Sequence, residues 1–214
     1  MKLEKKEKNL IGISMGDPGG IGPEVILKAL SSPEIRAAAN YLIIGSEKVL
    51  SSISYRVLTD NVSVLDLDNF TVNNTMTHKP LPESGKASVE YIMKGLDLAL
   101  NGKIDALVTA PICKKAIKLA GYDYAGHTEL LKEKTSVENV VMFMIGKELR
   151  VSFVTTHLAV NEISKAINQE NVFSTIQITA TGLKTFFGID QPKIAVCGLN
   201  PHCCDGDRFG TEEK

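Results

Sequence analysis

Two histidines directly follow predicted strands, at the point where each strand ends. His157 comes after residues 149–154, and His202 comes after residues 193–198. Ligands of open α/β sheets collect at the carboxyl ends of the strands, where two imidazoles would suit Zn²⁺, Co²⁺, Ni²⁺ or Mn²⁺. The alternative that the residues leave open is two unrelated histidines on polar loops. A metal site would need a third ligand, and the nearby candidates are Cys203, Cys204, Asp205 and Asp207.

A third histidine, His127, is followed by Thr128 and Glu129 and then by Leu130 and Leu131, at the start of a predicted helix. Backbone amide groups at the start of a helix are free to bind anions. His127 and Thr128 are therefore candidates for holding a phosphate or a carboxylate. Capping of the helix by Thr128, beside a solvent-facing His127, explains the same pattern. The fourth histidine, His78, has no partner at a useful spacing and is given no role.

A glycine-rich segment at 16–24, with the sequence GDPGGIGPE, separates a predicted strand from a predicted helix. A proline suits the first turn of a helix, and the free amides of such a turn favour anions. The segment matches neither the GxGxxG pattern nor the Walker loop, which needs a lysine followed by serine or threonine. A tight turn that requires glycine for its backbone angles is the structural alternative.

Strand-like and helix-like segments alternate along the first half of the chain. The predicted strands are 10–15, 41–45 and 104–109, and the predicted helices are 23–30, 87–100 and 114–120. This alternation indicates the α/β class, with a largely parallel sheet covered by helices.

The second half of the chain adds an antiparallel element. The apolar runs 140–145 and 149–154 are joined by only three residues, which predicts a hairpin and hence a mixed sheet. The irregular stretch 68–82 predicts a connection between two lobes. The remaining predicted elements are helices at 160–167 and 171–187, with Gly188 ending the second, and a strand at 193–198.

Composition limits the possible partners and the compartment. The 214 residues carry 24 Lys and Arg against 25 Asp and Glu, so neither a nucleic acid nor a membrane surface is an expected partner. The short apolar run near the amino terminus predicts neither a secretion signal nor a membrane span, so the cytoplasm is the expected compartment. The four cysteines are expected to be free thiols, because they lack the spacing of a zinc ribbon.

Four segments, taken in order, resemble one family. They are GDPGGIGPE at 16–24, GHTE at 126–129, TTHL at 155–158, and GLNPH at 198–202 with GTEE at 210–213. The chain resembles the 4-hydroxythreonine-4-phosphate dehydrogenase family of pyridoxine and pyridoxal phosphate synthesis. The resemblance implies an α/β/α sandwich similar to isocitrate and isopropylmalate dehydrogenases, with two lobes around a cleft, and a homodimer. It also implies that residues 1–214 are the N-terminal two-thirds of the dehydrogenase, without the C-terminal part of the family fold.

The same resemblance implies roles for individual residues. His127 and Thr128 match substrate-binding positions, and His157 and His202 match two of three metal-binding histidines. The implied cofactors are NAD or NADP and a divalent metal, either Zn, Mg, Co, Mn or Ni. The implied reaction is the oxidation and decarboxylation of 4-phosphohydroxy-L-threonine to 3-amino-2-oxopropyl phosphate.

Two alternatives to this function remain open. A sibling enzyme would act on a related four-carbon acid phosphate, such as threonate or erythronate 4-phosphate. An inactive fragment would only bind a ligand or a partner. A metal-dependent hydrolase fits less well, because the chain lacks the HExxH spacing.

Overall fold

The computed structural model describes residues 8–53, 59–71 and 79–213. The chain divides into two compact units, Met1–Lys134 and Thr135–Lys214. His78 and part of the irregular stretch 68–82 lie outside the described residues. Within the described ranges, no helix combines the length and the apolar character that crossing a membrane requires.

The first unit is built on a parallel sheet with the strand order β3–β2–β1–β4. Ile43 and Ile44 are neighbours in β2 and are both fully shielded from solvent. Since successive side chains of a strand point to opposite faces, the sheet must be covered on both sides, as parallel sheets usually are. The strands are β1 (Leu10–Ser14), β2 (Asn40–Gly45), β3 (Val62–Asp66) and β4 (Ala106–Thr109).

Helices cover the two faces of this sheet. Their bounds are α1 (Gly22–Ser31), α2 (Pro33–Ala38), α3 (Glu47–Ile53), α4 (Pro82–Leu100), α5 (Lys114–Leu119) and α6 (His127–Thr135). Helix α4 comes so close to Ile44 that a Cβ on Gly95 would lie 3.2 Å from its Cδ1 atom. On the opposite face, the hydroxyl of Tyr41 donates to the carbonyl of Ile35 in α2 at 2.6 Å. The predicted α/β/α layering is therefore present in this unit.

Helix α4 begins at Pro82, five residues before its predicted start. Proline suits the first turn of a helix, where its missing N–H is not needed. Gly85 lies inside the helix and faces α5, where a Cβ would clash with the carbonyl group of Ala116. The apolar spacing did not reveal this first turn of α4, because residues 82–86 include no large apolar side chain.

The second unit contains the predicted hairpin and a long helix. Phe187, the last residue of that helix, packs edge-to-face on Phe143, with ring centroids 6.1 Å apart. The helix begins after Asn168, whose side chain accepts from the N–H of Asn171, and ends as predicted at Gly188, where φ is 65°. The elements are β5 (Met142–Ile145), β6 (Arg150–Phe153), α7 (Ile163–Ala166), α8 (Gln169–Phe187) and two 3₁₀ turns (Val160–Glu162 and Pro201–Cys204).

The sequence analysis did not predict β3, α2 or α3, and two of its expectations about strands differ from the structure. The parallel strands and the antiparallel hairpin form separate sheets in the described part of the chain, rather than one mixed sheet. The predicted strand at 193–198 is wrong, since these residues form no regular element. An extended segment becomes a strand only when a neighbour completes its hydrogen-bond ladder, and no described strand pairs with this one.

Candidate functional site

The glycine-rich segment forms a closed turn between β1 and α1. Gly16 has a φ of 74°, and a Cβ there would clash with the carbonyl oxygen of Pro111. Asp17 is buried, and its carboxylate accepts from the N–H of Gly19 at 2.9 Å. Its carbonyl accepts from the N–H of Gly20 at 2.9 Å, and its own N–H donates to Pro111 at 3.0 Å.

These contacts favour the structural interpretation of the segment. Several of its amide groups already bind acceptors within the turn or on the chain after β4. The buried carboxylate of Asp17 would also repel a negative ligand. The role that these contacts support is to hold the start of α1 against the segment that follows β4.

His127 is the first residue of α6 and lies beside the end of β4. Its ring interacts with the backbone of Ala110, the residue that follows β4. Because Pro111 accepts from the glycine-rich turn, this turn, the end of β4 and the start of α6 meet at the carboxyl edge of the parallel sheet. Ligands of α/β proteins bind at this edge. The region formed by Ala110, His127 and Thr128 is called the His127 site below.

The imidazole of His127 has one nitrogen available for a ligand. Its Nε2 atom is buried and has no hydrogen-bond partner among the described residues. Burial lowers the pKa of His127 below its ordinary value, and the contact with the Ala110 backbone opposes that shift without cancelling it. A buried polar atom without a partner costs about 1–3 kcal/mol, which a ligand at this position would offset. Thr128, the second residue of α6, is partly buried beside it.

His157 and His202 both lie in the second unit, on exposed loops. His157 follows β6, as predicted, and His202 lies in the 3₁₀ turn Pro201–Cys204. Their φ angles are 57° and 54°, in the left-handed region. This conformation costs a residue with a side chain about 1–2 kcal/mol, so such residues cluster where function or packing holds them.

The described residues do not by themselves form a metal site. Among them, no group of three or more His, Cys, Asp or Glu side chains is arranged to hold an ion. Glu212 and Glu213 both accept hydrogen bonds from Asn200. The backbone N–H of Asn200 donates to Glu213 at 2.6 Å, and its side-chain amide donates to Glu212 at 2.8 Å. The thiol of Cys204 also donates to Glu213, and these bonds lower the pKa of Glu213 to about 2.

Sequence reasoning missed two of these contacts. It did not pair His127 with Ala110, or Asn200 with Glu212 and Glu213. Each contact joins residues more than ten positions apart, so no local spacing could reveal it. The contact of Asn200 with Glu212 and Glu213 left one indirect signal in the sequence. These residues lie in GLNPH and GTEE, two of the segments through which the chain resembles the 4-hydroxythreonine-4-phosphate dehydrogenase family.

Comparison with known proteins decides the family. The model of the family described as pyridoxal phosphate biosynthetic protein PdxA matches residues 26–214. The chain belongs to the PdxA family. A 4-hydroxythreonine-4-phosphate dehydrogenase from Desulforapulum autotrophicum is 41% identical over 221 residues, which cover 95% of this chain. The chain spans 65% of the length of that relative.

Two further proteins similar to this chain extend the comparison. A protein from Oceanobacillus iheyensis, provisionally named as a D-threonate 4-phosphate dehydrogenase, is 34% identical over 97% of this chain and 68% of its own length. The crystal structure of a 4-hydroxythreonine-4-phosphate dehydrogenase from Klebsiella pneumoniae matches with a TM-score of 0.86 and 29% identity, over 96% of this chain and 68% of that one.

Membership in the PdxA family confirms the resemblance drawn from the motifs. The structural match confirms the α/β class and the isocitrate dehydrogenase-like fold. The roles of His127, Thr128, His157 and His202 stay predictions, as does a cleft between two lobes.

Proposed function

We propose that this PdxA-family chain belongs to an enzyme that oxidises 4-phosphohydroxy-L-threonine with NAD or NADP in pyridoxine synthesis. The hydroxyl-bearing carbon gives a hydride to the nicotinamide, and the hydroxyl gives up a proton. The resulting β-keto acid loses carbon dioxide to form 3-amino-2-oxopropyl phosphate. Support comes from the family match and from the name of the relative that is 41% identical.

One structural observation carries the assignment of the substrate site. The Nε2 atom of His127 is buried without a partner at the start of α6, where backbone N–H groups favour an anion. A neutral imidazole can donate from this nitrogen to a phosphate oxygen, and the hydroxyl of Thr128 can donate beside it. Both residues would hold the substrate in position, because hydride transfer needs near-contact distance and aligned orbitals. Their role is placement rather than proton transfer.

The proposal includes the cofactors expected from the sequence. When bound, NAD or NADP supplies the hydride acceptor. His157 and His202 are proposed as two ligands of a divalent ion, either Zn, Mg, Co, Mn or Ni. Within the described residues these two histidines do not by themselves complete a metal site. A homodimer and a cytoplasmic location are also part of the proposal.

A second substrate is supported by a specific comparison. The relative that is 34% identical carries the name of a D-threonate 4-phosphate dehydrogenase. Threonate has a hydroxyl where 4-hydroxythreonine has an amino group, and both substrates carry the phosphate that the His127 site would bind. A site that binds this shared phosphate would accept either substrate.

A substrate panel tests the proposal. The purified protein is assayed for reduced nicotinamide with each substrate, with NAD or NADP, and with each metal before and after a chelator. We expect turnover of 4-phosphohydroxythreonine that the chelator abolishes. The change Thr128→Ala should raise KM about tenfold, the loss of one hydrogen bond to a charged group. Thr181→Ala, at an exposed position in α8, is the matched control.

Each result distinguishes the alternatives. Faster turnover of D-threonate 4-phosphate would favour the sibling enzyme. The absence of turnover with every substrate and metal, together with retained phosphate binding, would favour a chain that binds ligand without catalysis.

A further inference from the structure

Lys114 stands next to the His127 site but was not identified by the sequence motifs. It is the first residue of α5, three residues after Pro111 in the segment that follows β4. A Cβ placed on Gly126 would lie 4.0 Å from the Cε atom of Lys114. The side chain of Lys114 therefore runs beside the residue that precedes His127, which places its ammonium group within reach of a ligand at the start of α6.

The charge of Lys114 is not neutralised within the described part of the chain. Lysines at positions 28, 48, 86, 94 and 134 pair with carboxylates, whereas Lys114 is exposed and takes part in none of these ion pairs. Its position in the first turn of α5 also runs against the usual preference for acids there. An anionic ligand near Lys114 would pair with this ammonium group and offset its unfavourable place at the start of α5.

The local charges show why the His127 site needs such a cation. The carboxylate of Glu129 also lies near Gly126, with Oε2 3.5 Å from the same Cβ position. Burial favours the neutral form of His127, so its ring brings no full positive charge to the site in the absence of a ligand. Backbone amides at the start of α6 carry only a partial charge. A phosphate dianion bound there requires a full positive charge, and Lys114 can supply it.

We propose that Lys114 is a further substrate-binding residue and that its ammonium group pairs with the phosphate of the substrate. This inference rests on the proposed function for the choice of ligand. The lysine acts together with His127 and Thr128, all within the first unit. Its contribution is charge, because an ammonium group binds phosphate as a compact point charge.

A matched pair of variants on one helix tests the role of Lys114. Lys114→Gln and Lys115→Gln remove the same charge from adjacent exposed positions of α5. We expect Lys114→Gln to weaken binding of the phosphorylated substrate about ten- to a hundredfold, the range for a hydrogen bond to a charged group. Lys115→Gln should bind like the wild type, and Lys114→Arg should recover most of the affinity. Calorimetry on the full chain measures each dissociation constant.

Two ligands separate this inference from the proposed function. Unphosphorylated 4-hydroxythreonine should bind the wild type and Lys114→Gln equally well. Inorganic phosphate should bind the wild type more tightly than Lys114→Gln, even if no four-carbon substrate is turned over, and that result would leave Lys114 as an anion ligand while the proposed function fails. Equal binding of phosphate and of phosphorylated substrate by the wild type and Lys114→Gln would overturn the inference. Absence of phosphate binding by the wild type would overturn it as well.

Discussion

Two opposing effects act on the ring of His127. Burial disfavours its charged form and lowers the pKa, while the contact with the Ala110 backbone raises it by a smaller amount. The ring is therefore neutral at pH 7 in the absence of a ligand. A phosphate beside Nε2 would favour the charged form, so ligand binding and protonation of His127 should be coupled.

The titration of His127 tests this coupling at the level of one residue. We expect its ring C–H resonances to titrate with a midpoint below the ordinary value of about 6.5. Adding the phosphorylated substrate should move the midpoint upward. Proton NMR follows both changes, and His127→Asn identifies the resonances by their loss. A midpoint that stays fixed while the ligand binds would show that the ligand does not approach the ring.

The same histidine makes the stability of the fold depend on pH. The unfolded chain takes up a proton near pH 6.5, and folded His127 does so only at lower pH. The stability that the neutral ring of His127 contributes to the folded state is thus fully present above pH 6.5. It is lost as the pH falls through the pKa of His127 in the folded chain. Between pH 7 and pH 5, the melting temperature should fall more for the wild type than for His127→Asn.

At the scale of elements, three of the four parallel strands were predictable because their signals are local, whereas β3 was not predicted. Strands β1, β2 and β4 and helices α1 and α5 appear within two residues of their predicted bounds. Each is marked by an apolar run or by a glycine or proline at its end. The segment 193–198 has the same apolar character but forms no strand, because pairing depends on a neighbour that composition cannot reveal.

The candidate site was predictable only in part, for the same reason. The position of His127 at the start of α6 follows from the apolar residues behind it. Its contact with Ala110 and the approach of Lys114 depend on how α5 and α6 pack, which spacing along the chain does not encode. Motif resemblance predicted that His157 and His202 bind a metal, whereas the local pattern alone favoured two unrelated histidines on polar loops.

Close packing between α4 and α5 gives a prediction about two helical glycines. Alanine normally stabilises a helix by up to about 1 kcal/mol relative to glycine. Gly182→Ala in α8 should show this gain, since the nearest atom to a new Cβ there is 3.9 Å away. Gly85→Ala in α4 should instead lose about 1–3 kcal/mol, because its Cβ would press on the backbone of α5. Urea unfolding followed by circular dichroism measures both changes.

Comparing the two variants tests the packing between α4 and α5 and not the helix propensity of alanine. Both substitutions add the same methyl group inside a helix of 19 residues. If Gly85→Ala were as stable as Gly182→Ala, α4 and α5 would not approach each other as closely as the structure describes.

At the scale of the whole molecule, burial is unevenly shared between the two units. Of the buried hydrophobic residues in the described chain, only Leu183 and Cys204 lie beyond residue 134. Several large apolar side chains of the second unit are exposed, including Phe173 at 60% and Phe186 at 82%. A cavity of about 600 Å³ also opens there, lined by the hairpin, by α8 and by residues 192–197.

Hydrogen exchange can test whether this apolar surface is covered in solution. Helices α4 and α8 each have 19 residues, yet α4 buries nine of them and α8 only three. Because local opening is easiest where few apolar contacts must break, the amides of α8 should exchange at least about tenfold faster than those of α4. Mass spectrometry of exchanged peptides measures the ratio. Slow exchange in α8 that persists only at high protein concentration would show that a second copy covers this surface, as the proposed homodimer requires. Slow exchange at every concentration would instead contradict the exposure described for α8, since no second molecule would then be needed to protect it.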